Sequence, residues 1–292
     1  MDTMKRWYKY GDDLLREIAG SRLREPGAAI WFMGQHGFVV KLGDTVLYID
    51  VILNGFPGRD GKDRRAYPPP FLPEAAQRLD YYFCTHDHSD HLNLETLVPL
   101  AKANPAVRFI VPEPHRRLLI EGGIAAERVI GAGEGEALCL AGGLSGEPAA
   151  GGISVSPVAS AHPVYEEDGG GSRCLGYVIR GGGVSVYHSG DTYVTPRLVE
   201  TLKKLSPIDV ALLPINGSDW ERTAKDIIGN ISALDAAKLV RALGVDLLIP
   251  SHYDLLPGNT ENPGILAGYM YEHCPWKKYH VLAPGERFWY VK

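Results

Sequence analysis

The chain has 292 residues, 45% of them hydrophobic and 22% charged, with a formal net charge of −5. That length buries a large core without disulfide staples, and the acidic balance argues against a general nucleic-acid binder, which shows a basic face. The four cysteines, Cys84, Cys139, Cys174 and Cys274, are far apart and form no C-x-x-C pair; this indicates no disulfide framework and fits a reducing cytoplasm.

The first residues lack the apolar core of a signal peptide, and no run of about 18 apolar residues suggests a membrane span. Over residues 2–19, Trp7, Tyr10, Leu14, Leu15 and Ile18 recur at roughly helical spacing, which predicts an amphipathic helix docked on the body. Strands follow at Ala29–Gly34, Gly37–Leu42 and Thr45–Asp50, the last two joined by a Gly43-Asp44 turn. Residues 54–73, rich in Gly, Pro, Arg and Asp, read as a long loop. Leu79–Thr85 is a buried strand, and a helix from Leu94 is expected to be limited by Pro99. Val107–Val111 is a strand, His115–Ile120 starts a helix, and the Gly-rich stretch 131–152 surrounds one weak strand.

Ile153–Val158 opens the second half. Glu166–Gly171 reads as an exposed loop, with a lid as the alternative. Leu175–Arg180 and Val184–His188 are strands joined by three glycines. A helix over Pro196–Leu205, a strand at Val210–Pro214, a helix capped by Ser232 and running to Leu243, and a strand at Asp246–Pro250 complete the pattern. Strands and helices segregate into sheets flanked by helices, which predicts a four-layer αββα sandwich.

Between the buried strand and the Leu94 helix lies Thr85-His86-Asp87-His88-Ser89-Asp90-His91. Three of the chain's ten histidines fall here within six positions, in the pattern H-x-H-x-D-H. Imidazole and carboxylate are the ligands of borderline divalent metals such as Zn²⁺ and Mn²⁺. On a loop leaving a strand, His86 and His88 can turn one way and Asp90 and His91 the other, toward two ions. His162, Asp191 and His252 each stand just past a predicted strand. Each alone is a weak signal, since an Asp after Gly is also a common helix cap. Taken in order after the first motif, they form a strong one.

In these residues the chain resembles the metallo-β-lactamase fold superfamily, from about Ile30 to Lys292. Asp50 matches a carboxylate that supports the metal loop. The resemblance implies one metal on His86, His88 and His162, a second on Asp90, His91 and His252, and Asp191 bridging. Within the superfamily the chain is most similar to the L-ascorbate-6-phosphate lactonase-like group. The strings that carry this are Trp31-Phe32-Met33-Gly34-Gln35-His36-Gly37, Thr85–His91, Tyr187–Thr192, Ile208–Gly217, and Ile227-Ile228-Gly229-Asn230 with Arg222. That likeness implies a single hydrolase domain over 1–292 that opens a phosphorylated sugar lactone with a divalent metal. One departure is His162, for which the lactonase proper has no clear counterpart; it suggests a fuller dinuclear site and a different substrate. His88 stands where the oxygen-reducing diiron branch carries Glu, which favours hydrolysis.

The expected chemistry is attack on an ester, lactone or phosphodiester by a water activated between two ions roughly 3.5–4 Å apart. Asp90 is expected to hold the nucleophile's proton as well as ligate. His188 is expected to orient ligands or donate a proton, with a core histidine as the alternative. Asn216, Arg222, Lys225 and Tyr253 are candidate substrate contacts, against readings as a solvated loop or plain packing. Gln35 and His36 are placed near the metals. The expected cofactors are two divalent ions, Zn or Mn, with Fe as a further option. The expected partner is a small anionic substrate, with no nucleic acid or membrane, in a homo-oligomer. The competing functions are a phosphodiesterase acting on RNA or a phospholipid, and a metal-binding scaffold.

Overall fold

Alternation along the first strands sets the layers. In β1 (Gly27–Phe32), Ala28, Ile30 and Phe32 join one hydrophobic cluster, while Ala29 and Trp31 join another. Successive side chains of a strand point to opposite faces, so this strand has apolar neighbours on both sides. The computed structural model describes residues 3–23, 26–58, 61–140 and 152–292. The strands after β1 are β2 (Phe38–Leu42), β3 (Thr45–Ile49), β4 (Tyr81–Phe83), β5 (Arg108–Pro112), β6 (Val129–Ala132), β7 (Leu138–Leu140) and β8 (Ile153–Ala159). Then come β9 (Glu167–Asp168), β10 (Gly171–Ser172), β11 (Leu175–Gly181), β12 (Val184–His188), β13 (Val210–Pro214), β14 (Leu247–Ser251), β15 (Lys278–Tyr279) and β16 (Arg287–Val291). The helices are α1 (Gly11–Gly20), α2 (Leu94–Ala103), α3 (Arg116–Glu121), α4 (Pro196–Lys204), α5 (Trp220–Thr223), α6 (Ala233–Leu243) and α7 (Gly264–His273).

Two seven-stranded sheets result, in the orders β16-β1-β2-β3-β4-β5-β6 and β15-β14-β13-β12-β11-β8-β7. The cluster between them combines Ile30, Phe38, Val40 and Ile49 of the first sheet with Val155, Tyr177 and Val186 of the second. The outer face of the first sheet packs Trp31, Tyr48 and Tyr82 against Leu14 and Ile18 of α1 and Leu97 and Leu100 of α2. The second sheet is covered by Leu198 and Leu202 of α4, Ala236 and Val240 of α6, and Leu266 of α7. The expected αββα sandwich is therefore what forms. Strands β3 to β6 and β12 to β15 run parallel, so within each set the carboxyl ends, and the loops that leave them, lie on one edge.

Several local expectations need correction. The 2–19 helix is broken: a 3₁₀ turn at Thr3–Arg6 precedes α1, which starts only at Gly11. Tyr10 is extended, and Gly11 takes φ +57° while its N–H bonds Pro70 O at 2.8 Å. Trp7 thereby turns away from the α1 face into a separate cluster with Ile52, Phe56, Tyr67 and Leu255. Helix α2 does not stop at Pro99 but runs to Ala103. The proline removes one bond, to the carbonyl of exposed Glu95, and burial of Leu97, Leu100 and Ala101 holds the helix together. Glu166–Gly171 is no plain loop, because β9 and β10 pair as a short hairpin. Arg173, just after it, holds Asp87 of the H-x-H segment at 2.8 Å. In the 131–152 stretch β6 and β7 flank residues 133–137, and 141–151 lie outside the described residues. The strands β15 and β16 and the helix α7 were not expected from the sequence.

The glycine hairpin is as expected, with Gly182 and Gly183 both at positive φ, +56° and +73°, as a two-residue type I′ connection requires. Gly176 is needed for space instead. A Cβ there would meet Ser189 O at 2.7 Å and His188 O at 2.8 Å, the turn that delivers Asp191. Gly176→Ala is expected to cost about 2 kcal/mol of stability; urea unfolding at neutral pH measures it, and an unchanged midpoint would refute the close approach. Among the described residues no helix is long and apolar enough to cross a membrane.

Candidate metal centre

Asp50 closes β3 with φ +49° and is buried. Its Oδ1 accepts the Thr85 N–H at 2.9 Å, and its Oδ2 accepts the Thr85 hydroxyl at 2.6 Å and faces His91 Nδ1 at 2.8 Å. These bonds tie the end of β3 to the start of the Thr85–His91 loop. They also fix the His91 tautomer: Nδ1–H donates to the carboxylate, and Nε2 is turned to the other side. Asp50→Asn keeps the shape but weakens that acceptor. The expected result is a 10–100-fold loss of metal affinity, read by competition with a chromogenic chelator; unchanged affinity would remove Asp50 from the site.

The remaining groups arrive from the second sheet. His162 follows β8, Asp191 follows β12 through Gly190 at φ +59°, and His252 follows β14 with φ +60°. Asp191 lies centrally: its Oδ1 is 3.4 Å from His91 Nε2, and its Oδ2 is 3.2 Å from His252 Nε2 and 3.7 Å from His162 Nε2. Asp90 Oδ2 is 3.6 Å from both His91 Nε2 and His252 Nε2. His162 Nε2 is 3.3 Å from His88 Nδ1. Three overlapping sets result, each with ligand atoms within 4.8 Å of one another: His86, His88 and His162; His86, His91 and Asp191; Asp90, His91 and His252. All seven residues expected from the sequence are brought together. His88 is exposed and Asp90 half-buried, so the cluster opens on their side, while the other five are buried.

The donor set fits divalent metals. His86 Nε2 is buried with no hydrogen-bond partner among the described residues, and His91 Nε2 and Asp191 Oδ1, though 3.4 Å apart, form no hydrogen bond either, an arrangement a fold rarely leaves without a ligand. The charge pattern agrees. Burial pushes His86 well down, and it pushes His162 down to about 4, so both present neutral imidazoles. Burial also opposes charge on His91, but Asp191, Asp90 and Asp50 outweigh it and raise that pKa well above the usual value. His252 is raised to about 9 by Asp191 and Asp90 against the same burial. Asp90 and Asp191, which burial alone would raise, are held well below the usual carboxylate range by His91 and His252. The raised imidazoles of His91 and His252 thus face the depressed carboxylates of Asp90 and Asp191, and divalent cations would take the place of the imidazole protons.

Gln35 joins this centre from the turn after β1. Its Nε2 donates to Asp90 Oδ2 at 2.8 Å and lies 3.3 Å from His252 Nε2. Its backbone N–H is held by Asp254 Oδ1 at 3.0 Å, and Asp254 Oδ2 accepts the Tyr67 hydroxyl. Sequence reasoning missed Asp254 and Tyr67, because only the buried chain from the 54–73 loop to Asp90 gives them a role. It also missed Arg173, whose contact with Asp87 crosses between the sheets' loops.

His188 is not placed for proton transfer. Its Nε2 donates to His36 O at 2.8 Å, its Nδ1 accepts the Gly190 N–H at 3.2 Å, and its ring packs against that of His36, centroids 4.0 Å apart and tilted by 36°. Burial lowers its pKa. It is a neutral core histidine beneath the loop that carries Asp191. Tyr253 is likewise occupied, stacking on Phe32 and donating its hydroxyl to Leu282 O at 3.1 Å. Lys225 is exposed and pairs with Glu221 at 2.8 Å, one turn away on the surface, as a solvated face would. Asn216 and Arg222 do converge: Asn216 Nδ2 is 2.8 Å and Arg222 Nη1 3.3 Å from Asn259 Oδ1. Ile215 N–H bonds Ser251 O at 3.0 Å, which sets this group beside His252.

Two sheets back to back, with histidines and aspartates gathered on one edge, define a metallohydrolase of the metallo-β-lactamase class. Residues 49–253, which contain Asp50 and all seven ligand candidates, match the Beta-lactamase superfamily domain, and the chain belongs to that family. A UPF0173 metal-dependent hydrolase of Thermofilum pendens is 32% identical over 247 residues, covering 81% of this chain and 92% of its own. Igni18, a metallo hydrolase from Ignicoccus hospitalis, superposes with a TM-score of 0.67 at 20% identity, over 91% of this chain and 99% of its own. A possible metal-dependent hydrolase from Veillonella parvula gives 0.68 at 15% identity, over 91% and 99%. The chain is a metal-dependent hydrolase; the two solved structures speak to its fold.

Proposed function

We propose that this hydrolase opens a small ester or lactone, with a phosphorylated sugar lactone such as L-ascorbate 6-phosphate as the first substrate to try. The observation that carries this is the convergence of five imidazoles and two carboxylates in three overlapping sets with one open side. His86, His88 and His162 would hold one divalent ion, Asp90, His91 and His252 a second, and Asp191 both. Zinc or manganese suits such ligands, and iron is possible by the same chemistry. Ions bound there supply an activated water and an electrophile for the developing oxyanion.

The chain's own groups do the rest. Asp50 fixes the His91 ring, and Gln35 fixes Asp90 by occupying one of its oxygens. Asp90, kept ionised, is the half-buried carboxylate on the open side and so the group suited to hold the nucleophile's proton. Substrate enters beside His88, and Asn216 and Arg222 provide its polar contacts. A histidine at position 88 supplies an imidazole where a carboxylate would add negative charge, which suits hydrolysis.

The test is metal content of the purified protein, coupled to a panel of lactones and phosphodiesters before and after chelation. The expected result is two ions per chain and lactonase activity that chelation removes and Mn²⁺ or Zn²⁺ restores. Activity on phosphodiesters alone would overturn the substrate class. No bound metal and no restored activity would leave a scaffold.

A further inference from the structure

The segment after β13 folds back on itself. Asn216 bridges Ser232, Gly217 N–H bonds Ile231 O at 3.1 Å, and Asn230 N–H bonds Gly217 O at 3.1 Å. The last of these bonds sets Asn230 against Gly217, the residue that follows Asn216. Asn216 and Asn230 are both buried, at 0% and 1% exposure. Yet Asn216 Oδ1, Asn230 Oδ1 and Asn230 Nδ2 have no hydrogen-bond partner among the described residues. Buried amides are nearly always satisfied, and an unsatisfied one destabilises the fold. Two such side chains, on a segment whose Ile215 N–H bonds Ser251 O at the end of β14, just before His252, call for a ligand.

Which atoms are free decides what that ligand is. Arg222 has only donors, and its Nη1 faces Asn259 Oδ1 at 3.3 Å. That orients the Asn259 amide. Asn216 must then offer Nδ2 to the same oxygen, at 2.8 Å, which leaves its Oδ1 as a free acceptor. The free set is two acceptors and one donor. A phosphate or carboxylate brings acceptors only and would oppose two of the three atoms. The Arg222 guanidinium is already paired with Asp219. A hydroxyl both donates and accepts, so it matches the set.

We infer that Asn216 and Asn230 form a subsite for hydroxyl groups of a polyhydroxylated, sugar-derived substrate, beside His252. The inference rests on the ester or lactone reading and sharpens it: this loop reads the sugar's hydroxyls, and any anionic group is bound elsewhere.

The experiment compares D-glucono-1,5-lactone with δ-valerolactone, the same ring without hydroxyls, on the metal-loaded wild type and on Asn230→Leu. A site built to bond substrate hydroxyls discriminates strongly against an analogue that lacks them. The expected wild-type preference for the hydroxylated ring is about 100-fold in kcat/KM, falling to within about 5-fold in the variant. Asn230→Leu removes an unpaired amide at similar volume, so its melting temperature should rise, by about 2 °C. Calorimetric titration of D-gluconate into both proteins without metal gives a second readout, with at least about tenfold weaker binding expected in the variant. Equal use of both lactones by the wild type, or an undiminished preference in Asn230→Leu, overturns the subsite and leaves the lactonase reading standing. If neither lactone is hydrolysed while a phosphodiester is, the lactonase reading fails. The titration then decides the subsite alone, and equal gluconate binding by the two proteins overturns it.

Discussion

Asp191→Ala is expected to strip the centre of metal and to lower kcat/KM by roughly three orders of magnitude or more, beyond the ~10–100-fold typical of groups that only support a ligand. Among the described residues Asp191 is the one carboxylate that comes within 3.7 Å of His91, His162 and His252 together, and its Oδ1 faces His91 Nε2 at 3.4 Å without forming a hydrogen bond. Removing it takes away the negative charge that lies among His91, His162 and His252. The fold should survive. His91 and His252 owe their raised pKa values largely to Asp191, so in its absence they can release their protons instead of remaining as uncompensated buried charges. Asp191→Asn keeps the volume and loses the charge, and should retain part of the metal. Elemental analysis, circular dichroism and hydrolysis assays on both variants test this. Two ions per chain in a folded Asp191→Ala protein would mean that the centre is assembled differently.

The metal-free protein is expected to lose stability as pH rises from about 6.5 to about 9. The folded pKa of His252 is raised to about 9 from a usual 6.5. A group raised in this way stabilises the fold fully below its unfolded value, and that contribution disappears as pH climbs through the folded one. His91 is raised in the same direction. A shift of this size on one buried imidazole corresponds to ~3 kcal/mol, and for a chain of this length to a fall on the order of 5–10 °C in melting temperature. The acid side has other causes. Asp90 and Asp191 are depressed, so their contribution is present above the usual carboxylate pKa and is lost as pH falls through their folded values. His86 and His162 are also depressed, His162 to about 4. Unfolding lets them take up protons below about 6.5, which destabilises the fold further. With Mn²⁺ or Zn²⁺ saturating, the imidazoles are neutral ligands, and the alkaline loss should vanish because metal affinity grows with pH. Melting curves from pH 6.5 to 9.5, with chelator and with metal, make the comparison. A flat or rising curve for the metal-free protein would refute the proton balance on His91 and His252.

How much of this the sequence alone discloses depends on whether the signal is local. The strand positions rest on short apolar runs, and the structure places β2, β3, β12 and β13 close to where those runs lie. The H-x-H-x-D-H segment packs its ligand types into one loop, so its chemistry is visible without coordinates. His162, Asp191 and His252 are single residues, legible only because each follows a strand. Ser232 at the start of α6 caps the Asp235 N–H as its spacing predicts. Pro99 is the opposite case: local propensity argues for an early end to α2, and tertiary burial overrides it.

The amino-acid sequence by itself determined the layered sandwich and the seven metal-ligand candidates, because periodicity and ligand chemistry belong to short stretches of chain. The tertiary structure alone decided what surrounds them. It turned His188 and Tyr253 into packing residues and left Lys225 on the surface. It ran a hydrogen-bonded chain from Tyr67 through Asp254 and Gln35 to Asp90, and it buried Asn216 and Asn230 with atoms to spare. Those roles depend on which groups from distant segments meet, and on which polar atoms are left without water or partner once they do.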